Sequence, residues 1–230
     1  VWSDYLDVSS WAGVKDTVRR ARLLSAVRAN TVVSRSKLNT LYTLARRIES
    51  EGIDGIVAEC GVFRGGSAAL LAAATSPARQ VFLFDSFQGL PVPGEKDGQQ
   101  AQAHYREGWC QGTTADVRAV CRRLGVADSR VHMVEGWFQD TLPAFQDVPV
   151  ALLHIDADWY ESVRLCLETF YDRMTPGGFV VFDDYGRWEG CTLAVDEFLA
   201  ARGLQGQLVN GHYLVRPAER GVREVPPRCA

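Results

Sequence analysis

The 230-residue chain has no run of like charge, no CxxC pair and no apolar stretch of membrane-spanning length. Each absence removes a class of function. A net charge of −3 and a sequence pI near 5.8, with no aromatic RNA-binding signature, argue against nucleic acid as the main partner. No segment approaches the ~20 apolar residues of a membrane span, and the amino end lacks the charged-then-apolar pattern of a signal peptide. The six cysteines form neither a compact disulfide framework nor a zinc site. Cys60 and Cys166 fall inside apolar patterns as small core residues, so a reducing cytoplasm is the expected compartment. The one glycine-rich stretch lacks both GxGxxG and a GK[ST] ending, which disfavours NAD and ATP.

What is present organises around residues 150–185. Ala151 to Ile155 is a short apolar run that stops at Asp156-Ala157-Asp158, and Phe179 to Phe182 is another that stops at Asp183-Asp184. Such runs predict buried parallel strands whose carboxyl ends open onto a crevice, the edge where open α/β sheets bind ligands. Tyr160 to Met174 carries Val163, Leu167, Phe170 and Met174 at helical spacing, with Pro176-Gly177-Gly178 as its stop. The unit is βαβ, and a right-handed crossover brings both acidic strand ends to one edge. Converging carboxylates repel unless a cation lies among them, and an all-oxygen set suits a hard ion such as Mg²⁺, Ca²⁺ or Mn²⁺. Acids that merely start loops or cap helices are the alternative.

Upstream, IVAECGVFRGGSAALLAAA reads as strand, glycine turn and helix. Gly61, Gly65 and Gly66 are expected to let a ligand approach the backbone, and the helix start favours an anionic group. Glu59 lies within the strand end and requires a cationic or hydrogen-bonding partner once buried. A second strand, Gln80 to Phe84, ends at Asp85, about where an acid takes ribose hydroxyls, so this half reads as a nucleoside site. Arg130 to Val134 is a third strand, closing on Gly136-Trp137-Phe138; the aromatics either edge the nucleoside pocket or pack in the core.

Flanking these, Ser34 or Ser36 is expected to cap a helix running to Glu49, and Asp116 to Leu124 and Cys191 to Ala201 are further helices. Gln207 to Asn210 and His212 to Val215 read as a hairpin about Asn210-Gly211. One core domain is expected over residues 34–216, preceded by a helical extension, 1–33, with isolated aromatics Trp2, Tyr5 and Trp11. Those aromatics dock on a neighbouring subunit, cover a pocket or simply pack. Residues 92–114 have no periodicity and read as a lid-like insertion, in which His104, Tyr105 and Trp109 are placed to meet a substrate. Residues 217–230 read as a flexible tail.

ECGVFRGGS, FDSFQGLP, VEGWFQDTLP, LLHIDADWYES and PGGFVVFDDY together resemble the macrocin O-methyltransferase family, over about Ser34 to Val215. The resemblance implies the α/β fold of class I S-adenosylmethionine-dependent methyltransferases, a Rossmann-like, mostly parallel seven-stranded sheet with helices on both faces and a C-terminal antiparallel hairpin. It implies transfer of a methyl group to a sugar hydroxyl of a glycosylated small molecule in antibiotic biosynthesis, with a homo-oligomer as the expected assembly. By the same resemblance Glu59, Gly61 and Ser67 lie at the methionine side of the cofactor. Asp85 and Ser86 lie at its ribose, Gly136 and Trp137 at its adenine, and Asp156 beside it. Asp156, Asp183 and Asp184 would hold the divalent ion, Mg²⁺, and Asp158 would be the general base. The DxD of Asp156 and Asp158 also fits a metal-dependent nucleotide-sugar glycosyltransferase or a phosphatase, and the fold could be kept as a non-catalytic partner. Neither rival enzyme accounts for the glycine turn with Asp85, and the intact acid set argues against a non-catalytic partner.

Overall fold

In the computed structural model, residues 11–217 apart from Gln146 are described. Trp2, Tyr5, Cys229 and nearly all of the expected tail lie outside them. Six strands form one sheet: β1 (Ile56–Cys60), β2 (Val81–Asp85), β3 (Val131–Glu135), β4 (Val150–Ile155), β5 (Met174–Phe182) and β6 (Tyr213–Val215), in the order β3-β2-β1-β4-β5-β6. The first five are mutually parallel and β6 runs antiparallel to β5. Every residue of β4 is buried, as a strand covered on both faces requires. Strand order reverses between β1 and β4, so the tips of β1, β2, β4 and β5 surround a single crevice.

The α/β class and the antiparallel C-terminal pair agree with the expectation, but the sheet has six strands, not seven. Gln207 to Asn210 makes only one bridge, Val209 to Tyr213, because most of this segment is exposed and has no apolar face to bury. The turn at Asn210-Gly211 does form, with φ of 51° and 72°. β5 also begins earlier than the apolar run suggests. Its pairing jumps from Val150 with Met174 to Leu152 with Phe179, so Pro176-Gly177-Gly178 is a bulge inside the strand and not a helix stop.

One face of the sheet carries α1 (Trp11–Val27), α2 (Arg35–Ser50), α3 (Gly66–Ala74) and α5 (Thr114–Arg123). α4 (Gly98–His104) and α6 (Phe138–Thr141) border the other face, which α7 (Tyr160–Phe170) and α8 (Glu189–Ala201) cover. Of the two serines that could cap α2, Ser34 does so, its hydroxyl accepting the Lys37 N–H at 3.3 Å. α7 ends at Phe170 and tightens into a 3-10 turn, Tyr171–Arg173, so Met174 is a strand residue, though still buried. The segment that shows no periodicity is ordered too: Glu95–Asp97 is a 3-10 turn leading into α4.

α1 docks onto α2 through a polar contact, Tyr42 Oη donating to Asp16 Oδ1 at 2.6 Å. Burial, reinforced by that carboxylate, pushes the Tyr42 phenol up to about 12. The fold therefore favours the protonated phenol: this stability is fully present below the unfolded pKa of about 10 and is lost as pH rises towards 12. Tyr42→Phe is expected to cost about 1 kcal/mol near neutrality. In denaturant melts between pH 9 and 12 the parent protein should lose stability more steeply than the variant; parallel curves would contradict the assignment.

Candidate active site

A cavity of about 360 Å³ lies along the carboxyl edge of the sheet. Its wall follows the strand order: Gly136 and Trp137 after β3, Asp85 and Ser86 after β2, Gly61 after β1, Asp156 and Asp158 after β4, and Asp183 and Asp184 after β5. The expected nucleoside residues thus occupy one side and the acids the other. Glu59 and Ser67 do not line it. Both are buried behind the turn, and Glu59 Oε1 meets His154 Nδ1 at 2.7 Å across the β1–β4 pairing, the partner its burial requires.

The glycine turn is held by Asp85. Its Oδ2 accepts the N–H groups of Val62 and Phe63 at 2.6 and 3.0 Å, and its Oδ1 accepts that of Phe87 at 2.7 Å. The carboxylate retains acceptor capacity towards the cavity, because two oxygens offer about four lone-pair sites. The glycines also make room for protein. A Cβ on Gly61 would sit 1.8 Å from the Asp156 carbonyl oxygen; one on Gly65 or Gly66 would meet Val117 or Thr31 at 2.9 or 2.7 Å. Gly61, at φ 86°, is therefore what lets the β1 and β4 tips cross and sets where Asp156 begins.

On the acid side, carboxylate oxygens of Asp156, Asp158 and Asp184 lie within 4.8 Å of one another. Asp183 also lines the cavity, but its Oδ2 is 3.4 Å from Lys37 Nζ of α2, and Lys37 donates to its carbonyl as well. Burial and then mutual repulsion hold Asp156 and Asp158 well above the ordinary carboxylate range and push Asp184 up to about 6. Asp158 adopts a left-handed φ of 55°, and the nearby Trp188 indole favours its charged form in part. Asp183 Oδ1 and Asp184 Oδ2 are buried without a partner among the described residues. Two orphaned carboxylate oxygens beside two further acids have the chemistry that suits a hard divalent cation.

Three indoles roof the acids. Ring centroids of Trp159 and Trp188 are 5.3 Å apart, and Trp109 lies 6.4 and 6.0 Å from them. Of the insertion residues expected to meet a substrate, Trp109 lines the cavity, His104 touches the edge of Trp188 at 6.0 Å, and Tyr105 is not on the wall. Trp159, Trp188, Arg187, Cys110 and Lys37 were not legible as site residues. The available signal was position: Trp159 directly follows the DxD, and Trp188 lies four residues past Asp184.

A family model described as Macrocin-O-methyltransferase (TylF) matches residues 10–212. The 8-demethyl-8-(2,3-dimethoxy-alpha-L-rhamnosyl)-tetracenomycin-C 4'-O-methyltransferase of Streptomyces olivaceus is 34% identical over 183 residues, covering 76% of this chain and 70% of that one. Mycinamicin III 3''-O-methyltransferase of Micromonospora griseorubida is 32% identical over 190 residues, covering 79% and 74%. Among solved structures, the O-methyltransferase NovP superposes with a TM-score of 0.74 at 29% identity, covering 82% of this chain and 83% of that one.

If Asp85 faces the ribose while tying the turn, Asp85→Ala should weaken binding of S-adenosylhomocysteine by about 1 to 3 kcal/mol in a calorimetric titration. Unchanged affinity would put the nucleoside elsewhere.

Proposed function

Because the chain belongs to the macrocin O-methyltransferase family, and is thus an O-methyltransferase, we propose that it methylates a sugar hydroxyl of a glycosylated natural product in antibiotic biosynthesis, using S-adenosylmethionine and a divalent cation, Mg²⁺. The observation that carries this reading is one cavity with Asp85 on one side and four carboxylates on the other. The sugar hydroxyl follows from the relatives' names, a rhamnosyl-tetracenomycin among their substrates. A glycosyltransferase built on the same DxD is displaced by the family match. The working protein in this reading is a cytoplasmic homo-oligomer.

Chemistry explains why such a site needs more than a base. An alcohol ionises near 16 and an aspartate near 4, a gap worth roughly 15 kcal/mol at about 1.36 kcal/mol per unit. When bound, adenosylmethionine supplies an electrophilic methyl group and the cation supplies positive charge that lowers an alcohol's pKa by several units. Asp156, Asp183 and Asp184 would hold the cation, which the unpartnered buried oxygens of the last two favour. Asp158, which lies beside the other acids and lines the same cavity, takes the hydroxyl proton. Gly61, Asp85, Ser86, Gly136 and Trp137 seat the nucleoside, with Glu59 and Ser67 supporting the turn from behind. The indole roof presents flat apolar faces to a sugar ring.

Two variants separate these roles. Asp156→Ala should abolish Mn²⁺ binding, read by electron paramagnetic resonance, and leave S-adenosylhomocysteine affinity within several-fold. Asp158→Asn should retain Mn²⁺ and lower turnover of glycosylated natural products by about two to four decades. Mn²⁺ binding that survives Asp156→Ala, or turnover unaffected by Asp158→Asn, would overturn the assignments.

A further inference from the structure

Beside the segment that carries Trp109 is a buried carboxylate that makes no ion pair among the described residues. Asp97 is 4% exposed, yet it lies between Glu95 and Lys96 on one side and Gly98 on the other, in the segment without periodicity. Its Oδ1 accepts the Tyr160 N–H at 2.6 Å, at the start of α7, and its Oδ2 accepts the Gly94 N–H at 2.8 Å. Both are charge-assisted bonds to backbone, and the first lies at a helix amino terminus, where negative charge is favoured. α8 closes over the same point. A Cβ on Gly190 would fall 1.9 Å from Asp97 Oδ1 and 2.9 Å from the Tyr160 nitrogen, so only glycine leaves the carboxylate its place.

Each element that grips the segment also carries part of the acid site. Tyr160 is two residues past Asp158, and Gly190 is six past Asp184. A second tie runs from Trp159 Nε1 to the Pro91 carbonyl at 2.8 Å, and the segment closes on itself through the Leu90 N–H and the Trp109 carbonyl at 2.9 Å. Trp109 is thereby fixed against Trp159 and Trp188. The ends of the segment are anchored near β2, Ser86 Oγ donating to the Gly89 carbonyl at 3.2 Å and Gln111 Nε2 to the Phe87 carbonyl at 3.3 Å, but the two bonds to the Asp97 carboxylate come from Gly94 and Tyr160 and not from the nucleoside residues.

We propose that Asp97 is a positioning residue that sets the height of the Trp109 roof above the acids, and so shapes the acceptor half of the cavity while leaving the cofactor half alone. This rests on the methyltransferase reading for what the two halves bind, but the clamp itself does not. Removing it lets residues 89–111 lift as a unit, because a buried anion at that junction is replaced by a group that cannot satisfy both N–H donors.

The test needs no acceptor. In Asp97→Asn, acrylamide quenching of tryptophan fluorescence is expected to rise about twofold or more as the roof opens. S-adenosylhomocysteine affinity, by calorimetry, should stay within about twofold. The rise should largely vanish when Asp97→Asn is made in a Trp109→Phe background, which a general loosening of the fold would not reproduce. Gly190→Ala, whose added methyl would fall on Asp97 Oδ1 while leaving the carboxylate charged, should act in the same direction, which keeps the test open if Asp97→Asn fails to fold. Unchanged quenching in a folded variant, a rise that persists without Trp109, or a parallel loss of S-adenosylhomocysteine affinity would each overturn the proposal. If the parent protein does not bind S-adenosylhomocysteine, the cofactor reading falls instead, and the quenching comparison still decides the clamp.

Discussion

Four carboxylates are crowded into the tips of two neighbouring strands, and their repulsion is the constraint to which the rest of the site answers. Two unit charges 4.8 Å apart repel by about 3 kcal/mol at an effective dielectric constant near 20, and burial adds the loss of hydration. A folded protein does not keep such a cluster ionised without compensation. Lys37 from α2 compensates Asp183 in part. That contact leaves two buried oxygens unsatisfied, and a divalent cation meets both needs at once.

Sheet topology is what creates the crowding. Reversal of strand order between β1 and β4 opens the crevice, and the crossover through α7 returns β5 beside β4 so that the two acidic ends coincide. The closest crossing is at Gly61, whose lack of a side chain lets the β1 tip pass the Asp156 backbone. One turn therefore serves both halves of the cavity: Asp85 ties it from β2, and Asp156 leaves from its far side. Donor and acceptor chemistry are held together by backbone packing and not by a flexible linker.

Much of this was legible in the residues. Apolar runs ending in acids located β2, β4 and β5 at their carboxyl ends, because a buried parallel strand must stop where it meets polar function. The burial of Glu59 announced a partner, which proved to be His154. Other features were hidden for definite reasons. Met174 stands four residues after Phe170, a spacing that suits a helix face, and only the pairing of β4 with β5 shows that the chain has already become a strand. Asp97 among charged and small residues looks like a solvated turn; its burial depends on Tyr160 and Gly190, distant in sequence. That the glycines of the turn also make room for protein was hidden, because sequence cannot show the chain segments packed against them. The roof tryptophans come from three separate stretches, and no local pattern links them.

The central claim is that the acids at the β4 and β5 tips form one cation site. Anomalous diffraction from crystals grown with Mn²⁺ and S-adenosylhomocysteine tests it most directly. A single strong peak coordinated by Asp156, Asp183 and Asp184, with Asp158 beside it, is the predicted result. No peak at the cluster, or a peak there with the Asp183 carboxylate still turned to Lys37, would contradict it.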